Sequence, residues 1–312
     1  MNWAATSVVV TGGAGFLGSF VVDRLRSLGC QKVFVPRSRD FDLRSKEATR
    51  RLLEQCGPDL VIHLAATVGG IGANRANPAR FFYDNAIMGL ELLEQARLAH
   101  VRKVIIVGSV CGYPKETPTP FREESIWDGY PEETNAPYGL AKRMLLVQAQ
   151  AYRQQYGLNT IYLVPTNLYG PGDNFDPDTS HVIPALIRKC IEARDAGRSS
   201  VTAWGDGTAT RDFLFVEDAA DAILLAAAKY NDSMPINVGS GQEVSIGDLA
   251  SLVASATRFQ GHIIWDASKP NGQRRRCLDC SKANLHFGFV ANTQLATGLD
   301  HTVRWFENQR IA

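Results

Sequence analysis

Tyr138 and Lys142 stand four residues apart in Tyr138–Tyr156, a stretch that reads as a helix. Residues at that spacing share one helical face. A lysine ammonium beside a phenol favours the phenolate and lowers the tyrosine from its ordinary value near ~10. Such a tyrosine can exchange a proton with a carbonyl or an alcohol while a hydride moves at the adjoining carbon. Ser109 follows the apolar run Lys103–Val107, where a strand would end, and its hydroxyl could hold the reacting oxygen. Tyr-x-x-x-Lys recurs by chance in helices, so its meaning depends on what lies upstream.

Gly12, Gly13, Gly15 and Gly18 lie directly after the β-rich run Ser7–Thr11 and open the helical stretch Phe16–Leu28. Gly13 to Gly18 fits G-x-G-x-x-G, and Gly12, Gly15 and Gly18 also fit G-x-x-G-x-x-G. Glycines there permit a tight turn and close approach of backbone to a pyrophosphate, and the helix start at Phe16 and Leu17 offers amide donors. A second strand, Lys32–Val35, ends where an acid would hold the ribose 2′-hydroxyl of NAD. Here it runs into Pro36, Arg37, Ser38 and Arg39. Two arginines suit a 2′-phosphate and favour NADP. Asp40 and Asp42 are close enough to mimic the NAD pattern, so NAD stays open; Asp42 and Leu43 are assigned to the adenine side.

Elements must hold these groups. Apolar runs at Leu60–Ala65, Lys103–Val107 and Thr160–Val164 alternate with helical stretches such as Ala79–His100. That alternation predicts an α/β fold, a Rossmann doubly wound parallel sheet with a smaller C-terminal substrate-binding domain. Ligands in such sheets sit beyond the carboxyl ends of the strands. After Pro165 the pattern loosens into shorter elements, with Phe213–Val216, Asp218–Lys229 and Ile236–Val238 expected to return to the sheet. The division expected is residues 1–164 with 212–243 for the cofactor, and 165–211 with 244–312 for the substrate.

The 312 residues suffice for a large core without metals or disulfides. A formal net charge of +1 argues against a nucleic-acid surface. The most apolar early stretch, Val8–Val22, is too short and glycine-broken to span a bilayer, and no secretory leader is visible. Six scattered cysteines fit a reducing cytoplasm. Cys277 and Cys280 have C-x-x-C spacing without a second ligand pair, so no metal is assigned.

Five blocks carry a resemblance: Ala65–Ile71, Gly108–Pro114, Asn135–Lys142, Pro165–Pro171 and Ser180–Ala185. With the glycine loop, they resemble the extended short-chain dehydrogenase/reductases and, more narrowly and over nearly the whole chain, the GDP-L-fucose synthase family. That family epimerises GDP-4-keto-6-deoxy-mannose at C3 and C5, then reduces C4 with NADPH. The resemblance implies Ser109, Tyr138 and Lys142 at the C4 oxygen, Cys111 as base and His181 as acid. A base on one face and an acid on the other is what epimerisation beside a ketone requires. It also implies cofactor contacts at Leu64, Ala65, Ala66, Pro165, Asn167 and Leu168. Nucleotide-sugar contacts are implied at Asn167, His181, Lys189, Trp204, Arg211 and Arg276, with Arg275 in the same basic segment. Ala14 stands where the family often carries arginine. An NAD-recycling GDP-mannose 3,5-epimerase-like enzyme, or a reductase of another GDP-4-keto sugar, is the alternative. A homodimer through the helices that include the one at Tyr138 is expected.

Overall fold

The structure is a computed structural model that describes residues 1–269 and 271–311. Its strands are β1 (Ser7–Thr11), β2 (Lys32–Phe34), β3 (Leu60–His63), β4 (Lys103–Val107), β5 (Thr160–Pro165), β6 (Asn167–Tyr169), β7 (Ser200–Trp204), β8 (Thr210–Phe215), β9 (Ile236–Val238), β10 (Glu243–Ser245), β11 (His262–Asp266) and β12 (Arg275–Arg276). Its α-helices are α1 (Phe16–Ser27), α2 (Lys46–Cys56), α3 (Ile71–Ala76), α4 (Pro78–Leu98), α5 (Ala136–Tyr156), α6 (Val182–Asp195), α7 (Val216–Lys229), α8 (Ile246–Ala256), α9 (Ser281–Phe287) and α10 (Leu295–Ile311).

Val8, Val9, Val10, Val61, Ile62, Val104 and Ile105 are all fully buried. Parallel strands covered on both faces read as unbroken apolar runs, which is why these strands show so plainly in sequence. They form a six-stranded sheet in the order β2-β1-β3-β4-β5-β9, with parallel pairing throughout. Residues from α1, α7 and α9, among them Leu25, Ile223 and Phe287, cover one face. Residues from α2, α4 and α5, among them Leu52, Leu93 and Leu145, cover the other. Strand order reverses beside β1, so the connections that leave the carboxyl ends of β1 and β3 run to opposite faces of the sheet and open a crevice.

A second body of structure stands over that crevice. β8 pairs with β6 and β12 in parallel and with β10 in antiparallel fashion, while β7 and β11 pair in parallel. A separate core, including Ile187, Leu249 and Leu299, joins α6, α8 and α10. The expectation that Phe213–Val216 returns to the large sheet is therefore corrected for its strand. The place beside β5 is filled by β9, through Leu163 opposite Ile236, and β8 is taken by β6 through Asn167 opposite Phe213. The following helix, α7, does return: its alanines pack into the core that holds Val21 and Leu25 of α1. The C-terminal part also holds longer helices than expected, α10 running from Leu295 to Ile311.

Candidate active site

The crevice is a continuous cleft of about 1110 Å³. It is lined by Gly12, Gly15, Phe16, Leu17, Gly18, Arg37, Asp42, Leu43, Leu64, Ala65 and Ala66 at one end. Ser109, Cys111, Tyr138, Lys142, Pro165, Asn167 and Leu168 line its middle, and His181, Lys189, Trp204, Arg211 and Arg276 the other end.

The glycine end fits a dinucleotide. Gly12 has φ +72°, and a Cβ there would lie 2.7 Å from the Ala65 amide nitrogen. A Cβ on Gly18 would overlap the Gly12 carbonyl oxygen. Only bare backbone lets the turn sit between β3 and α1. Gly15 precedes α1 without any side-chain cap, leaving the helix start, with its partial positive charge, to a bound anion. Arg37 lines the cleft and makes no ion pair among the described residues, whereas Asp42 is held by the Arg44 guanidinium at 2.8 Å. A free cation beside an occupied carboxylate suits a 2′-phosphate better than a 2′-hydroxyl. Arg39, expected beside Arg37, lies outside the cleft: it is exposed and faces Asp40.

Tyr138 and Lys142 share the buried face of α5. Contrary to the lowering expected from Lys142, burial pushes the Tyr138 phenol up, with the nearby Cys111 adding to the rise and the Ser109 hydroxyl opposing it. Lys142 places its Nζ 5.9 Å from the Tyr138 ring centre and donates to the Val107 carbonyl at 3.1 Å. Burial draws its ammonium down to about 8. His63, at the end of β3, accepts from or donates to Thr11 Oγ1 through Nδ1 at 2.8 Å. Burial, with the Lys142 charge, lowers His63 to about 3, so its ring is neutral beside the ammonium.

Ser109 and Cys111 sit on the turn after β4. The Ser109 hydroxyl accepts from the Cys111 amide at 3.2 Å, which ties the two side chains into one local frame. α5 presses against that turn at Gly139, where a Cβ would overlap the Cys111 carbonyl oxygen. Arg143 clamps the same turn, donating to the Gly112 carbonyl through Nε and to the Gly129 carbonyl at 3.0 Å. Sequence reasoning passed over both residues. A glycine one turn inside a helix costs about 1 kcal/mol relative to alanine, and that cost is the signal of a close approach.

His181 immediately precedes α6 and opens its ring into the cleft. The surrounding protein partly desolvates the ring and lowers its imidazolium, while the ring stays open to solvent in the cleft. Lys189, two turns along α6, donates to the Thr202 carbonyl at 2.9 Å. Trp204 is exposed on the cleft rim, with Lys269 Nζ 5.6 Å from its ring centre. Arg211 is tied to the carbonyls of Thr210 and Asn271 at 2.7 and 3.2 Å. Desolvation, then the neighbouring Arg276 charge, weigh against its guanidinium, a cost that a bound anion would relieve. Along β12 the side chains alternate: Arg276 faces the cleft, while Arg275 turns out to Glu243 at 2.5 Å. Asn271 and Gln273 also line the cleft and were not anticipated.

The sequence profile of the NAD dependent epimerase/dehydratase family matches residues 8–239. The chain belongs to that family. A GDP-L-fucose synthase of Sinorhizobium fredii is 42% identical over 290 residues, covering 93% of this chain and 92% of that protein. An NADP-bound GDP-L-fucose synthetase of Naegleria fowleri superimposes with a TM-score of 0.89 at 30% identity, covering 99% of this chain and 96% of that one. A GDP-6-OMe-4-keto-L-xylo-heptose reductase of Campylobacter jejuni superimposes with a TM-score of 0.92 at 26% identity, over 98% and 99% of the two chains. Among the described residues, no helix is long and apolar enough to cross a membrane.

Proposed function

We propose that the protein converts GDP-4-keto-6-deoxy-mannose to GDP-L-fucose, by epimerisation at C3 and C5 followed by reduction at C4, with NADP as its cofactor. The observation that carries this reading is the meeting of two proton-handling sets in one cleft. Ser109, Tyr138 and Lys142 form one set, and Cys111 and His181 the other. A simple alcohol dehydrogenase would need only the first.

C3 and C5 flank the C4 ketone, so their protons are acidified by it. Cys111, as thiolate, takes the proton from carbon, and the electron pair moves onto the C4 oxygen as an enolate. Ser109 and Tyr138 hold that oxygen by hydrogen bonds. His181 returns a proton to the opposite face, and the enolate collapses to the ketone. When bound, NADPH supplies the hydride that C4 receives in the last step. Tyr138 gives its proton to the C4 oxygen as that oxygen becomes an alcohol, and the Lys142 ammonium stabilises the phenolate left behind.

The glycine turn, Leu64 to Ala66, Pro165 and Leu168 serve the dinucleotide, with Arg37 at the 2′-phosphate. Lys189 and Arg211 suit the diphosphate, and Trp204 offers an indole face to the guanine. Residues 1–164 with 212–243, less the part of β8 that this segment contains, act as the cofactor half; α7 and β9 support that division by packing on α1 and β5, while β8 pairs within the second body. Six free cysteines are consistent with a cytoplasmic site of action. The protein works as a homodimer through α4 and α5, where Phe82, Tyr83 and Val147 leave apolar surface exposed. A monomeric mass by light scattering at micromolar protein would refute the dimer.

Incubation with GDP-4-keto-6-deoxy-mannose and NADPH tests the function. The expected product is GDP-L-fucose, with one NADPH oxidised per sugar. A product reduced at C4 but unchanged at C3 and C5 would limit the enzyme to reduction. Epimerisation without net NADPH oxidation would support the recycling epimerase instead.

A further inference from the structure

We infer that Arg276 is a positioning residue for Cys111, holding its sulfur as a thiolate, and leaves the diphosphate to Arg211; this rests on the reading of Cys111 as the base. Arg276 Nη1 lies 3.7 Å from the Cys111 sulfur, within donor range of a sulfur acceptor. The guanidinium is buried and has no carboxylate partner among the described residues. Its Nε donates to Gln273 Oε1 at 3.1 Å. Gln273 Nε2 in turn donates to the carbonyl of Lys115 at 2.8 Å and reaches that of Pro114 at 3.4 Å. A continuous chain of contacts thus runs from the sulfur through the guanidinium and the amide to the backbone just beyond Cys111. One short segment, Gln273 to Arg276, supplies the charge and ties it to the backbone that follows the thiol.

The register of the small sheet explains the division of labour. Arg276 on β12 is paired with Arg211 on β8, so the two cations are neighbours. Two close guanidinium groups are unfavourable unless anions meet them, and the charges of Cys111 and then Glu132 are those that favour the Arg211 cation. Arg211, tied by the Thr210 and Asn271 carbonyls, lines the cleft together with Lys189 and Trp204 and feels the Cys111 charge without a hydrogen bond to the sulfur. Arg276 faces the sulfur. During epimerisation the thiolate forms by losing its proton to solvent, then gains the proton from C3 or C5 as the C–H pair becomes the enolate. His181 protonates the opposite face of the same carbon. Cys111 and His181 then exchange protons with water, which restores thiolate and imidazolium. Arg276 favours the ionised sulfur at the start of each cycle.

The test is the rate of Cys111 alkylation by iodoacetamide at pH 7, read by peptide mass spectrometry, beside deuterium wash-in at C3 and C5. Arg276→Met is expected to slow both on the order of tenfold, because only the thiolate reacts. Arg276→Lys should restore most of the loss. KM for the GDP-sugar should stay within about twofold of wild type in Arg276→Met, whereas Arg211→Met should raise it on the order of tenfold. An unchanged alkylation rate in Arg276→Met, or a raised KM with wild-type kcat, would overturn the proposal and return Arg276 to the diphosphate. If Arg276→Met fails to bind NADPH, Gln273→Ala carries the test. That variant keeps the charge but frees it from its tether, so it should slow both reactions severalfold, and wild-type rates would refute the assignment. Cys111→Ser that exchanges deuterium at the wild-type rate would sink the base assignment itself, a separate failure.

Discussion

Replacing Lys142 with methionine should stabilise the fold while destroying the reaction. Lys142 is 2% exposed, and its ammonium is drawn from 10.5 to about 8 by burial. That drop corresponds to about 3 kcal/mol of unfavourable self-energy in the folded protein at neutral pH. Against it stands the hydrogen bond from the ammonium to the Val107 carbonyl, worth about 1.5 kcal/mol net. Methionine fills similar space without charge, so Lys142→Met should gain about 1.5 kcal/mol at pH 7. For a chain of this size that is a rise of about 2 °C in Tm. The sign of the pH dependence follows from the depressed folded pKa. Folded Lys142 gives up its proton near pH 8 and unfolded Lys142 near 10.5, so between those values the unfolded chain binds more protons. Wild-type stability therefore rises through that window, and the variant's advantage shrinks to under about 1 kcal/mol by pH ~9.5. Urea unfolding of both proteins at pH 7 and pH ~9.5 measures the gap directly. NADPH oxidation should fall by about 10²- to 10⁴-fold, as loss of a group that supports the catalytic acid requires. A Lys142→Met protein less stable than wild type at pH 7, or a gap that does not change with pH, would refute the reasoning.

Two further outcomes separate neighbouring residues. Arg37→Ala should weaken NADPH by about tenfold or more, with NADH affinity unchanged, while Arg39→Ala should leave both within about twofold, because Arg39 faces solvent and Asp40; equal losses in both variants, read by fluorescence titration, would contradict the placement of Arg37. Gly139→Ala drives a Cβ into the Cys111 carbonyl oxygen, so deuterium exchange at carbon should fall at least about tenfold while NADPH still binds. The cost in stability should be about 1–3 kcal/mol, and wild-type exchange would show that the turn can shift freely.

Much of the large sheet and of the reacting centre is legible in the sequence because both are local. Val8–Val10 and Val104–Ile106 are buried on both faces and so appear as apolar runs. Tyr138 and Lys142 are placed by helix geometry alone, and Gly12 to Gly18 by what a bare backbone allows. What stays hidden depends on partners distant in the chain. The residues of β8 read as a strand, but nothing in them says that β6, rather than β5, lies alongside. β7 alternates buried and exposed over Val201–Trp204 between the turn glycines Gly197 and Gly205, but nothing local says that β11, far along the chain, is its partner. Arg37 and Arg39 share type and segment, and only the backbone path decides that one faces the cleft and the other water. Arg275 and Arg276 differ by one step along β12, and the pleat sends them to opposite sides. Gln273 has meaning only through its contacts with Arg276 and the Lys115 carbonyl.

The central claim, two proton-handling sets acting on one bound sugar, is tested most directly in heavy water. Wild-type enzyme, given GDP-4-keto-6-deoxy-mannose and NADPH in deuterium oxide, should yield GDP-L-fucose labelled at both C3 and C5. Cys111→Ser should bind NADPH as the wild type does and incorporate no label at either carbon. Tyr138→Phe should stop NADPH oxidation while some exchange at carbon continues. Label at both carbons in Cys111→Ser at the wild-type rate, or none at either carbon in the wild-type product, would contradict the account.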